Sequence, residues 1–229
     1  MSLKLIKSGL LIAATFAAGV ANADLIAHWN FDETSGDTVT DVTGNGYNGT
    51  LYNVSRVPGI YGNALAFDSN LDQVVMDNSN SLAMAGDNTY SVSVWVNGVT
   101  AQGSACCSSI AGFRNDAGWV LRADNRDTKG VEFLQIANGG YYGDGGNVGF
   151  APGAGWHLLT SVVDTNTVRL YMDNSLVDSY SFSGTTTING SGNLMMGAVA
   201  DGYLSGGMVD DLRIYNNALS AEEINALYT

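Results

Sequence analysis

Between Tyr90 and Val96 the chain sets Val92, Val94 and Val96 against Ser91 and Ser93 at alternate positions. That period of two most constrains the fold, because a strand turns successive side chains to opposite faces. Further β-rich runs occupy Trp156 to Val163, Thr167 to Met172, Leu176 to Phe182 and Met208 to Tyr215. Turn signals separate such runs: Asp68-Ser69-Asn70, Asp173-Asn174, Asn189-Gly190-Ser191-Gly192 and Asp201-Gly202. Strands at short spacing without intervening helices predict an all-β, antiparallel, two-sheet sandwich. Ser220 and Glu223 form a capping-box pair and open a short C-terminal helix over Ala221 to Leu227.

The charge balance narrows the function. Lys and Arg total 9 against 22 Asp and Glu, a net charge of −13 in 229 residues. Nucleic-acid contact needs concentrated basic surface, so a nucleic-acid partner is excluded. The acids divide into 18 Asp and 4 Glu. Asp is a poor helix-interior residue that suits turns and oxygen-ligand metal sites.

Residues 1–23 read as a cleaved secretory signal. Lys4 and Lys7 precede the apolar run Gly9 to Val20, and Ala21-Asn22-Ala23 supplies a small-x-small cleavage site. The expectation is a secreted or periplasmic protein, with residues 24–229 as one domain and no transmembrane segment. Removing the two lysines leaves 22 acids against 7 bases, a net charge of −15.

Two glycine-rich stretches, Asn97 to Asp116 and Asn138 to Gly155, are too long for simple hairpin turns. Extended loops on a rigid sandwich commonly carry binding. Sugar sites combine an aromatic platform with amides and acids. Trp119, Tyr141, Tyr142 and Phe150 are the candidate platforms, with Asn115, Asp116, Asn138 and Asp144 as polar partners. Cys106 and Cys107 are the only cysteines. Three readings stay open for them: a vicinal disulfide, slightly favoured, an intermolecular bridge, or two reduced thiols.

Four ordered segments carry a family likeness. They are Leu25 to Glu33 followed by Asp41 to Leu51, Pro58 to Phe67, Gly155 to Leu158 followed by Val168 to Asp173, and Val209 to Ile224. Their order resembles the laminin-G-like jelly rolls of the concanavalin A-like lectin/glucanase superfamily. The resemblance implies a jelly-roll sandwich built on Trp29, Phe31, Leu65, Phe67, Trp95 and Trp156. It implies that the first and last strands pair near one edge, which the terminal helix covers. It also implies a structural calcium, held by the Asp210 carboxylate and by main-chain oxygens near Asn30 and Gly62, with Asp32 adjacent. The bland alternative is that Asp210 and Asp211 merely pair with Arg213.

Hydrolases of this superfamily carry paired carboxylates on one strand. A retaining glycosidase needs two carboxyls about 5–5.5 Å apart. Glu132 has Leu134 and Ile136 at its same-face positions, and Glu33, Glu222 and Glu223 fall in a turn and the helix. His28 and His157 sit in scaffold motifs. A non-catalytic module recognising a glycan or a surface partner is therefore the expectation. A self-associating matrix or adhesion protein is the alternative, and a polysaccharide-active enzyme of the same fold ranks third.

Overall fold

The computed structural model describes residues 24–84, 86–99, 107–113, 118–124, 130–138, 140–143, 155–187, 192–199, 202–204 and 206–229. The expected signal at 1–23 lies outside them.

Two antiparallel sheets stack as a sandwich. The first runs β14 (Ser175–Ser181), β13 (Thr167–Met172), β12 (Trp156–Asp164), β7 (Thr89–Asn97), β18 (Met208–Tyr215), β5 (Asn63–Ala66) and β4 (Ser55–Pro58). In the same sheet β1 (Leu25–Trp29) also pairs with β18. The second runs β11 (Gly140–Tyr142), β10 (Gly130–Ala137), β9 (Trp119–Asp124), β8 (Cys107–Phe113), β15 (Leu194–Met196), β6 (Gln73–Met76), β3 (Gly49–Tyr52) and β2 (Thr38–Val39). A small ladder of β16 (Ala198–Val199) and β17 (Gly202–Tyr203) stands apart. The single α-helix among the described residues is α1, Ala221–Tyr228.

The alternation resolves into two faces. Tyr90, Val92, Val94 and Val96 of β7 join Val209, Leu212 and Ile214 of β18 in the core. Ile110, Phe113, Trp119, Leu121, Val131 and Phe133 meet them from the second sheet. Burial of such side chains is worth about 1.5–3 kcal/mol each and drives the sheets together. Trp29, Phe31, Leu65 and Phe67 are core residues as expected. Trp95 and Trp156 are not. Trp95 lies on the outward face of β7, and Trp156 is half-buried at the start of β12.

The terminal helix also differs from expectation. It does not cover an edge, because β18 sits inside the sheet between β7 and β5. Instead α1 packs on the outward face, where Ile224 and Leu219 join Val162 and Tyr215. A helix with one apolar stripe buries more on a sheet face than along an edge. Its capping box is complete: Ser220 Oγ accepts from the Glu223 amide at 3.2 Å, and Glu223 Oε2 from the Ser220 amide at 2.8 Å.

Trp119, expected as an exposed sugar platform, is fully buried. Its ring stacks on Phe133 at 5.6 Å and meets Phe113 edge-on at 5.7 Å, and its indole donates to Leu82 O at 3.0 Å. Trp119→Ala should lower the unfolding free energy by about 3–5 kcal/mol in urea titrations. A loss within the error of the titration would mean that the ring is not core.

Candidate functional site

The last strand delivers the most distinctive group. Between Asp210 and Arg213 the pairing of β18 with β7 slips by a bulge, and Asp211 takes a left-handed φ of 56°. Bulges re-aim side chains. Here the bulge leaves Asp210 opposite Trp95 on the outward face while sending Asp211 elsewhere. Asp211 is neutralised locally: Oδ1 meets His28 Nε2 at 2.5 Å, and Oδ2 meets Arg213 at 2.7 Å. Among the described residues Asp210 has no basic partner. Pairing with Arg213 thus describes Asp211 alone.

Asp210 is fully buried. Its Oδ2 accepts from the amides of Ile60, at 3.0 Å, and Tyr61, at 3.2 Å. Its Oδ1 is buried without a hydrogen-bond partner among the described residues. A buried carboxylate with an orphaned oxygen is costly unless something positive or protic meets it. The turn that serves it depends on glycine. A Cβ on Gly59 would stand 2.4 Å from Asp210 Oδ2, and one on Gly62 would stand 1.8 Å from Asp32 Oδ1. Asp32 in turn accepts from the Asn63 amide and from Asn30 Nδ2, both at 2.9 Å. The structure therefore gathers Asp210, Asp32, Asn30 and Gly62, the four residues expected around calcium. Gly62 (φ 58°) and Phe31 (φ 56°), between Asn30 and Asp32, are also left-handed. For a bulky Phe that conformation is strained, and such strain gathers at functional sites. The orphaned oxygen, the second carboxylate and the glycine cradle fit a hard cation.

Asp41 shows what a satisfied acid looks like in the same fold. Burial pushes its carboxyl up, yet donations from Thr43 (hydroxyl and amide), the His28 amide and the Tyr47 amide outweigh this and hold it below the usual range. It closes the turn after β2 and offers no spare oxygen.

Other expected residues divide. Asn138 and Tyr142 come together against one segment: the Thr185 amide donates to Asn138 Oδ1 at 3.4 Å, and Tyr142 Oη lies 3.2 Å from Ser183 Oγ. Tyr142 is half-buried, with its ring tilted on Phe182 at 6.1 Å. Tyr141 has its backbone in β11 opposite Ile136, but its side chain lies outside the described part. Asn115, Asp116, Asp144 and Phe150 lie outside the described residues. Cys107 is disulfide-bonded, which removes the reduced-thiol reading, and Cys106 lies outside the described residues.

The outward face of the second sheet holds a group that strand-by-strand reading missed. Cys107, Asp124 and Glu132 are buried, with their ligand atoms within 4.8 Å of one another, close enough to hold an ion. Asp124 and Glu132 stand on neighbouring strands, so a search along one strand could not pair them. Glu132 also forms a buried ion pair with Arg122, directly opposite on β9. A disulfide sulfur and an arginine-paired carboxylate make a poorer set for a hard cation than the Asp210 cradle.

The Asp210 carboxyl is raised to about 6, first by loss of water, with Asp211 and Asp32 adding repulsion against the Tyr61 and Ile60 amides. The unfolded value is about 3.9. A raised folded value means that this group favours folding most below about pH 4, and that the contribution is lost as pH rises through about 6. With divalent cations chelated, the wild type should lose stability between about pH 4 and 6 relative to Asp210→Asn, measured by urea titration. Parallel curves would show that Asp210 is not the titrating group.

A family model described as Laminin_G_3, of the concanavalin A-like lectin/glucanases superfamily, matches residues 68–225. No curated protein matches. Among solved structures, domain 4 of a GH43 extracellular arabinanase from Geobacillus stearothermophilus, in complex with arabinotriose, superposes with a TM-score of 0.70. It shares 21% identity, over 90% of this chain and 99% of that one. The binding domain of Paraclostridial Mosquitocidal Protein 1 gives 0.68 and 14%, over 90% of this chain and 52% of that one. The botulinum neurotoxin serotype D ligand-binding domain, in complex with N-acetylneuraminic acid, gives 0.66 and 20%, over 90% and 50%. The chain thus spans about half of those two toxin domains. At such identities these likenesses speak for the fold. The structures it resembles are carbohydrate- and receptor-binding domains, although this fold also hosts catalysis. The chain belongs to the Laminin_G_3 family of the concanavalin A-like lectin/glucanases superfamily.

Proposed function

We propose that the protein is an exported, non-catalytic binding module for a carbohydrate or a glycan-bearing surface partner, stabilised by calcium at Asp210. The observation that carries the calcium is the buried, unpartnered Asp210 Oδ1 beside Asp32, above a turn that only glycines permit. Asp210 would supply a carboxylate oxygen, and the main chain near Asn30 and Gly62 would supply carbonyls. A cation there would offset the mutual repulsion of Asp210, Asp211 and Asp32. The proposed glycan contact is where Tyr142 and Asn138 meet the 183–185 segment, with Tyr141, Asn115 and Asp144 as further candidates. The likeness to an arabinotriose-bound domain and a sialic-acid-bound domain supports carbohydrate as the ligand class. Export rests on the signal-like residues 1–23.

Calcium at about a hundred times its dissociation constant should stabilise the fold by about 2.7 kcal/mol. The melting midpoint should therefore rise by several degrees over the chelated protein, and Asp210→Asn should abolish the rise. A midpoint indifferent to chelator would refute the site. On a glycan array containing arabino- and sialo-oligosaccharides, the module should bind in calcium, and Tyr142→Ala should weaken that signal at least tenfold. An empty array together with concentration-dependent light scattering would favour self-association instead. The Asp124–Glu132 proximity gives the enzyme reading its one support, although both carboxyls are 2% exposed. Release of reducing sugar that Glu132→Gln abolishes would overturn the non-catalytic assignment.

A further inference from the structure

Three aromatic side chains connect the Asp210 cradle to the end of the chain. The Tyr61 amide donates to Asp210 Oδ2 at 3.2 Å, and the Tyr61 ring meets Trp95 edge-on, centroids 6.1 Å apart and planes at 82°. Trp95 stands directly opposite Asp210 across the β7–β18 ladder. Trp95 also stacks with Tyr228, the last residue of α1, at 5.8 Å and 20°. Trp95 is 4% exposed, whereas Tyr61 and Tyr228 are 48% and 40% exposed. The two tyrosines are therefore partners of the tryptophan without being core residues.

The indole N–H of Trp95 is buried and has no hydrogen-bond partner among the described residues. Packing and the two aromatic contacts, each worth about 0.5–1.5 kcal/mol beyond area burial, hold the ring there. Moving the ring disturbs both neighbours. One is the turn whose amides hold Asp210 Oδ2. The other is the C-terminal turn of the helix, which is anchored elsewhere by Ile224 in the apolar cluster and by Asn225, whose Oδ1 accepts from Asn174 Nδ2 at 2.8 Å.

We infer that the Asp210 cradle and the C-terminal helix form one coupled unit, joined through Tyr61 and Trp95, so that a cation at Asp210 tightens the docking of α1. This rests on the cation reading given above. A cation that needs the 59–62 turn in its present conformation also selects the Tyr61 ring position that braces Trp95 against Tyr228. By linkage, whatever loosens Tyr228 must weaken the cation by the same factor. Tyr61, Trp95 and Tyr228 act here as positioning residues and not as ligands.

The test uses the chain from Asp24 to Thr229, with calcium as the probe. Calorimetric titration should show calcium binding to the wild type about fivefold or more tighter than to Tyr228→Ala. Tyr228→Phe, which keeps the ring, should bind as the wild type does. Hydrogen exchange should slow by a similar factor at amides 221–229 when calcium is added. In the absence of calcium, Tyr228→Ala should speed exchange at the Ile60 and Tyr61 amides, which a purely local helix defect would leave unchanged. Calcium binding to the wild type with unaltered exchange at 221–229, or equal affinity in Tyr228→Ala, would overturn the coupling and leave the cation site standing. No calcium heat with the wild type would instead overturn the cation site, and the coupling with it.

Discussion

The last strand holds the sandwich together. β18 pairs with β7 and with both β1 and β5, so the first and last described strands close on one another in the middle of a sheet. The β1–β18 pairing joins residues nearly two hundred positions apart, the kind of contact whose closure entropy makes β-rich folds slow to form. The same strand carries the bulge that separates the fates of Asp210 and Asp211. Without that one-residue slip both acids could not hold their present places, one opposite Trp95 and the other between His28 and Arg213.

Each sheet spends its two faces differently. The inward faces are apolar and meet in the core. Part of the outward face of the first sheet is covered by the C-terminal helix, which buries Val162, Tyr215 and Leu219 with Ile224. The outward face of the second sheet buries charge: Arg122, Asp124 and Glu132 are all less than 10% exposed. A buried ion pair contributes little to stability when its desolvation is counted, yet removing one partner is strongly destabilising. Arg122 and Glu132 therefore constrain what the second sheet can do.

The contrast between Asp41 and Asp210 is the most informative electrostatic fact in the fold. Both are almost wholly enclosed, and burial pushes both upward. Asp41 has enough donors to reverse that push. Asp210 has two amides on one oxygen, none on the other, and two acidic neighbours. The unmet oxygen of Asp210, set against the fully satisfied Asp41, is the contrast on which the proposed cation rests.

Much of this was legible in the sequence. Alternation over Tyr90 to Val96 marked β7, Met208 to Tyr215 matched β18, and the Ser220–Glu223 pair located the helix to within a residue of its observed end. Asp210, Asp32, Asn30 and Gly62, carried over from the family likeness, do meet. The errors have a common cause. Trp119 and Trp95 each sit in a strand, and one chain alone does not say which face of a strand turns inward, so one was expected in a ligand site and the other in the core. Asp124 and Glu132 are eight residues apart and become neighbours only through the β9–β10 register. Local periodicity and turn chemistry are properties of consecutive residues, and the sequence determined them by itself. Which face is inner, which acids end up adjacent, and how Tyr228 reaches Trp95 depend on strand pairing and sheet stacking between distant segments, and only the tertiary structure decided them.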